Sequence, residues 1–193
     1  MKKPTLIAEI GCNHKGDLSL AKEFIRVANE NCKVNVVKFQ KREPKEVLSI
    51  EEYNAAHQNP SNSYGKTYGE HREFLELSLE QHKELKEFCE DKDMTYSCSV
   101  WDMTSVKEIV SLQPDFIKVP SATNTHFGIL DYLCQHFSGN LHISLGMTTL
   151  KEERLIVEFL EERGRLEDTV IYACTSGYPV PPKDVCLLEI KRL

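Results

Sequence analysis

The sequence predicts an α/β fold of the (β/α) TIM-type barrel class, incomplete at about six of eight strand–helix units. Three observations carry this expectation. Short apolar runs alternate strictly with helical stripes, and nearly every run ends in Ser, Thr, Asn, Lys or Gln. The turn after the first run, Gly11-Cys-Asn-His-Lys-Gly16, is not the glycine-rich dinucleotide turn expected of an open doubly wound sheet. Polar groups at many strand ends, instead of at one switch point, favour a barrel over that alternative. A closed barrel takes eight units and about 250 residues, so this chain of 193 residues is expected to be truncated.

The elements follow in order. Leu6 to Gly11 is an apolar run of the kind a buried strand needs, with Glu9 inside it and Asn13 and His14 just beyond its carboxyl end. Gly16 shapes the turn and Asp17 caps a helix whose apolar residues recur at 18, 21, 24, 25 and 28. Val34 to Gln40 is the second strand, with Lys38 and Gln40 alternating to one face. From 41 to 73 the periodicity fades into a long connection, expected to be an ordered lid with one short helix near Ile50 to Ala56. Ser78-Leu-Glu-Gln81 is a capping box opening a helix to about Asp91, and Met94 to Val100 is the third strand. Asp102 or Thr104 caps a helix that Pro114 ends, and Asp115 to Val119 is the fourth strand. A helix over 127–137 leads to the fifth strand, Leu141 to Leu145, and Thr149-Leu-Lys-Glu152 is a second capping box. Thr169 to Cys174 is the sixth strand.

Composition is that of a globular domain: 40% hydrophobic and 28% charged, enough to enclose a core. A net charge of -6 without a basic patch argues against nucleic acid and against an anionic membrane surface. No apolar stretch is long enough to span a bilayer and no secretory pattern starts at Met1, so a cytoplasmic protein is expected. The seven cysteines are widely spaced and contain no C-x-x-C, which fits a reducing compartment and predicts neither a disulfide framework nor a zinc site.

The strand ends carry the chemistry. Lys38 and Lys118 sit among the hydroxyls of Ser97, Ser99, Ser121, Thr123, Ser144, Thr175 and Ser176. Two desolvated ammonium groups need opposite charge, so the pattern fits a compact polyanion such as a carboxylate with a phosphate. Glu9 is costly in a buried strand unless a partner meets it, which makes it a functional candidate. A single buried lysine would instead point to a Schiff-base aldolase.

Ala8-Glu-Ile-Gly-Cys-Asn-His14, Val37-Lys-Phe-Gln40, Tyr96-Ser-Cys-Ser-Val-Trp-Asp102, Ile117-Lys-Val-Pro-Ser121, Ser144-Leu-Gly-Met147 and Cys174-Thr-Ser-Gly-Tyr-Pro179 resemble the successive strand ends of the sialic acid synthase (N-acetylneuraminate synthase) family. The resemblance runs from Leu6 to the end. It implies a metal-assisted TIM barrel, usually followed by a small antifreeze-like domain, that condenses phosphoenolpyruvate with N-acetylmannosamine or a related N-acyl sugar and releases phosphate. Residues 1–193 would be the partial barrel, with the antifreeze-like domain absent. Carried over by position, Lys38 and Lys118 would hold the phosphoenolpyruvate carboxylate, and Ser121, Ser144 and Ser176 its phosphate. Glu9, Gln40 and Tyr178 would bind the sugar, Asn13 and Cys98 would join the substrate-binding set, and Glu9, Lys38 and Lys118 would form the catalytic group.

The resemblance also marks departures. Cys98 stands where relatives often carry a threonine that contacts the carboxylate, and Thr123 where some carry a glutamate that binds the sugar. The implied divalent cation, Mn2+ or Mg2+, is held in the family by histidines on strands seven and eight, so its ligands are not expected in this chain. His14, His126 and His142 have no ligand-like spacing and read as turn or core residues. A homodimer is implied through the domain not found here. Two alternatives stay open: another aldol-type barrel, acting on phosphoenolpyruvate or through a Lys118 Schiff base, and a non-catalytic fragment that binds without turnover.

Overall fold

The computed structural model describes residues 4–193; the sequence reading at Met1 lies outside them. Six strands form one parallel sheet in sequential order: β1 (Ile7–Gly11), β2 (Val36–Lys41), β3 (Thr95–Val100), β4 (Phe116–Val119), β5 (Asn140–Ser144) and β6 (Thr169–Tyr172). Sequential order with a helical crossover between each parallel pair is how the chain of a (β/α) barrel is wound. Among the described residues the sheet does not close, and β1 and β6 are its two edges.

The crossovers carry α1 (Leu18–Glu30), α5 (Leu79–Glu90), α6 (Met103–Ser111), α7 (Phe127–His136) and α8 (Leu150–Glu162). All but α7, which His126 caps, begin where the sequence places a cap. Asp17 accepts from the backbone N–H groups of Ser19 and Leu20, and Ser78 and Thr149 make full capping boxes with Gln81 and Glu152. Asp102, not Thr104, caps α6 by accepting from Ser105 N at 2.7 Å.

Partners across a parallel ladder share a face, so register decides which side chains look inward. Phe39, Cys98, Ile117 and Leu141 line up across β2 to β5 on the helix side, where all four are fully buried with Ile25, Leu85, Ile109, Leu130 and Ile156. Each such aliphatic or aromatic side chain contributes about 1.5–3 kcal/mol by leaving water. The opposite face carries Glu9, Lys38 and Ser97 in one row and Gln40, Ser99, Lys118 and His142 in the next.

The long connection after β2 is ordered, but it holds three helices where the sequence predicts one. These are α2 (Pro44–Val47), α3 (Ile50–Asn54) and α4 (Tyr68–Leu75), with a 3-10 turn at Pro60–Asn62. The first and last show little apolar periodicity because local contacts hold them. Thr67 caps α4, Gly69 leaves room for the Tyr53 ring, and Phe74, Tyr64 and His71 stack in series. A short α9 (Glu189–Arg192) ends the chain.

The junction between α7 and β5 depends on one buried cation. Arg165, 8% exposed, sends its guanidinium back across the end of α7 and donates to the carbonyls of Phe137 and Gly139, each at 2.6 Å. A cation there also meets the negative end of the helix. Replacing Arg165 by Met should lower unfolding free energy by about 3 kcal/mol, because buried carbonyls lose their donors. Urea denaturation measures this, and a loss below about 1 kcal/mol would show that water replaces the guanidinium.

Candidate functional site

The inward rows place the strand-end groups together. Lys38, 5% exposed, donates to the Glu9 carboxylate and to Ser99 Oγ at 3.1 Å. Glu9 is paired as expected, but it is not buried: its side chain is 49% exposed, because β1 is a sheet edge. Lys118 faces the same space from β4, 6.0 Å from the centre of the Tyr172 ring. Burial, and then the charge of Lys38, pull the Lys118 ammonium down to about 8, with Glu9 and Cys174 opposing. Glu9 thus pairs with Lys38, and Lys118 feels both charges without an ion pair of its own among the described residues.

Hydroxyls gather beside them. Ser97 and Ser144 are buried on the inward face; Ser97 donates to Phe116 O at 2.8 Å, and Ser144 pairs in register with Tyr172. Asn124, buried after β4, donates to the carbonyls of Ser144 and Gly146 and so ties the two strand ends together. A Cβ on Gly146 would stand 2.7 Å from Ser121 Oγ and clash with Ser176 Oγ. These two hydroxyls therefore converge on the space that glycine leaves open.

The structure corrects the expectations for Cys98 and Glu9 and puts Asn13 and Tyr178 at the surface. Cys98 does not face this space. Alternation along β3 turns Ser97 and Ser99 inward and Cys98 outward into the hydrophobic core, where burial raises its thiol far above the ordinary range. Asn13 is exposed and spends its side chain on its own turn, donating to Ile10 O at 2.8 Å. Tyr178 stands fully exposed in the loop after β6. Glu9, as above, is half exposed. Glu9, Lys38, Gln40, Lys118, Ser121, Ser144 and Ser176 keep their places at the carboxyl ends of the strands.

Sequence reasoning missed the surroundings of these groups. His142 stacks on Phe116 at 3.9 Å and shares a 2.7 Å hydrogen bond with the Tyr172 hydroxyl. Burial, then Lys118 and Lys38, lower it to about 4, so it is neutral at pH 7. Arg42 reaches Gln40 from just beyond β2. No periodicity announces either contact, although the position of His142 on the inward face follows from strand alternation.

The residues present do not make a metal centre. Among the described residues no three His, Cys, Asp or Glu side chains are grouped to hold a cation. His14 Nδ1 accepts from Gly16 N, and His126 Nδ1 from Ile129 N. A cavity of about 960 Å³ lies along the β6 edge between α8 and α9, and neither lysine lines it. It is a mostly apolar groove, whereas the charged groups meet on the inward face, so the chemistry marks the latter. No helix of the described residues is long and apolar enough to cross a membrane.

Residues 24–193 match the model of the NeuB family. The chain belongs to the NeuB family. It is 35% identical over 190 residues to the N-acetylneuraminate-9-phosphate synthase of Drosophila melanogaster, covering 96% of this chain and 48% of that protein. It is 32% identical over 191 residues to the N,N'-diacetyllegionaminic acid synthase of Legionella pneumophila, covering 97% and 53%. The chain thus spans about half the length of these relatives. The crystal structure of the Leptospira borgpetersenii N-acetylneuraminic acid synthetase, solved with citrate, superposes with a TM-score of 0.81 at 21% identity, over 99% of this chain and 61% of that one. That likeness supports the barrel-type fold.

The register makes a direct prediction. Ser99→Ala should weaken binding of a carboxylate anion at the lysines about tenfold, a loss of about 1.4 kcal/mol. Cys98→Ala should leave binding alone while costing roughly 1 kcal/mol of stability. Calorimetric titration beside thermal melts measures both, and the reverse ranking would mean that the β3 register is wrong.

Proposed function

We propose that this chain carries the phosphoenolpyruvate side of a nonulosonic acid synthase, a C–C bond-forming transferase that joins phosphoenolpyruvate to an N-acyl sugar of the N-acetylmannosamine type and releases phosphate. The observation that supports it most is a second inward-facing lysine, Lys118, with no ion-pair partner among the described residues, near the Lys38–Glu9 pair and beside converging serine hydroxyls. That leaves one positive charge uncompensated, and a dianionic or trianionic ligand supplies what the protein lacks.

In this reading Lys38 and Lys118 hold the carboxylate, with Ser99 beside Lys38. Ser121, Ser144 and Ser176 orient the phosphate. Glu9 and Gln40 face the incoming sugar. The enol carbon attacks the sugar aldehyde, forming the C–C bond and leaving an oxocarbenium carbon that the lysine-held carboxylate stabilises. Water adds to that carbon, and the tetrahedral intermediate breaks its C–O bond to expel phosphate. Glu9, half exposed and paired to Lys38, is the carboxylate in place to accept a proton from the water or a sugar hydroxyl. These roles are those of this chain's own residues, and the described ones do not group to hold a cation.

A second reading has its own support. An amine with its ammonium lowered to about 8 is a competent Schiff-base nucleophile. Borohydride with a keto acid separates the two: a covalent adduct at Lys118 supports the aldolase, and its absence with phosphate release on adding sugar and divalent metal supports the synthase.

Lys118→Ala should abolish phosphoenolpyruvate binding measured by calorimetry; unchanged affinity would remove the pocket assignment. The pH dependence follows from the lowered Lys118. Below about 8 the ammonium is present and binds the anion; above it the free protein loses the proton, and affinity falls by up to about tenfold per pH unit. Binding near pH 8.5 should therefore take up a proton, detected as a dependence of binding enthalpy on buffer ionisation. Affinity that stays flat from pH 7 to about 9.5 would place the charge elsewhere.

A further inference from the structure

We infer that Arg42 is a positioning residue for sugar recognition: it fixes the side-chain amide of Gln40 so that the Nε2 donor, next to the Glu9 carboxylate, faces the mouth of the site. The inference rests on the proposed synthase reading and adds a residue to it.

Gln40 ends the inward row of β2, and Arg42 follows two residues later. A guanidinium can only donate, so the amide atom that Arg42 Nη2 meets must be Gln40 Oε1. The usual ambiguity of amide orientation is thereby removed. Nε2 then points the other way, toward Gly11. A Cβ at Gly11 would lie 3.2 Å from Gln40 Nε2 and 3.5 Å from Glu9 Oε1, so the two polar atoms border one small space. Gly11 holds φ +57, a conformation that favours glycine and keeps the space free. A donor and an anionic acceptor side by side suit a hydroxyl, which both accepts and donates. A phosphate or carboxylate there would be repelled by Glu9. The geometry thus assigns this corner to the polyol.

Arg42 is itself held from several sides. Its guanidinium lies 4.1 Å from the Trp101 ring, 3.7 Å from Glu76 Oε1 and 3.5 Å from Cys12 Sγ, and its backbone N–H donates to Glu76 Oε2 at 2.9 Å. Glu76 has its side chain 9% exposed and also faces Arg72 at 3.9 Å. The arginine is therefore a fixed donor. Without it the Gln40 amide is free to turn and present its oxygen to the same hydroxyl, beside a carboxylate that also only accepts.

The test is a double-mutant cycle on the sugar, with N-acetylmannosamine titrated into the phosphoenolpyruvate-saturated chain and followed by NMR. Gln40→Ala and Arg42→Met should each raise the sugar Kd about tenfold, the weight of one hydrogen bond to an oriented partner. The double variant should be no worse than Gln40→Ala, and phosphoenolpyruvate affinity should not change. Arg42→Lys, which keeps a donor and a charge, should recover most of the loss. It also serves if Arg42→Met unfolds. In ¹⁵N spectra the Gln40 side-chain amide pair should shift on Arg42→Met and shift back toward wild type in Arg42→Lys. Losses that add in the double variant, or an unmoved Gln40 amide, would overturn the inference. If Gln40→Ala leaves sugar binding unchanged while Lys118→Ala abolishes phosphoenolpyruvate binding, the inference falls and the anion site stands. If phosphoenolpyruvate does not bind the wild-type chain at all, the functional reading fails first and the inference falls with it.

Discussion

Two ammonium groups and one carboxylate meet at the strand ends, and their unequal count is the constraint around which the inward face is arranged. Lys38 is buried and satisfied by Glu9 and Ser99, whereas Lys118 has an aromatic face and a like-charged neighbour. Removing a cation from water without an opposite charge is costly. The fold meets that cost in part by lowering Lys118, and in part by keeping neutral the histidine that pairs with it in register. That residue, His142, is fixed by Phe116 and Tyr172. In the proposed function, an anion from outside completes the balance.

The helix side serves this arrangement. Because Phe39, Cys98, Ile117 and Leu141 interlock with the crossover helices, the strands cannot shift by one residue without turning apolar side chains into the charged space. Packing on one face thus sets the positions of the lysines on the other. Asn124 and Arg165 do comparable work between units, joining strand ends and loops that lack a regular hydrogen-bond ladder.

Much of this is legible in the sequence, and the failures have physical causes. Strand–helix alternation, the caps at Asp17, Ser78 and Thr149, and the inward pairing of Lys38 with Gln40 all depend on local periodicity, which the sequence displays directly. Cys98 was misplaced because motif likeness was allowed to outweigh alternation: two serines flank it, and a strand can turn only the flanking pair or the cysteine inward. Glu9 was expected to be buried because its run is apolar, but burial depends on what lies beyond the sheet edge. Helix α4 escaped notice because a cap and an aromatic stack hold it, rather than an apolar stripe. Arg42 is invisible by itself, since its meaning comes from Glu76 and Trp101, which are distant in sequence.

The excess cation at the strand ends also has a kinetic side. These 193 residues together carry a charge of -6, so in the proposed function the trianion approaching them is repelled at long range. It meets attraction only within about 8 Å of the lysines at physiological ionic strength, the distance over which mobile ions leave a local charge visible. Moderate salt would therefore quiet the outer repulsion before it weakens the inner attraction, and capture would proceed fastest in an intermediate window of ionic strength rather than at either extreme.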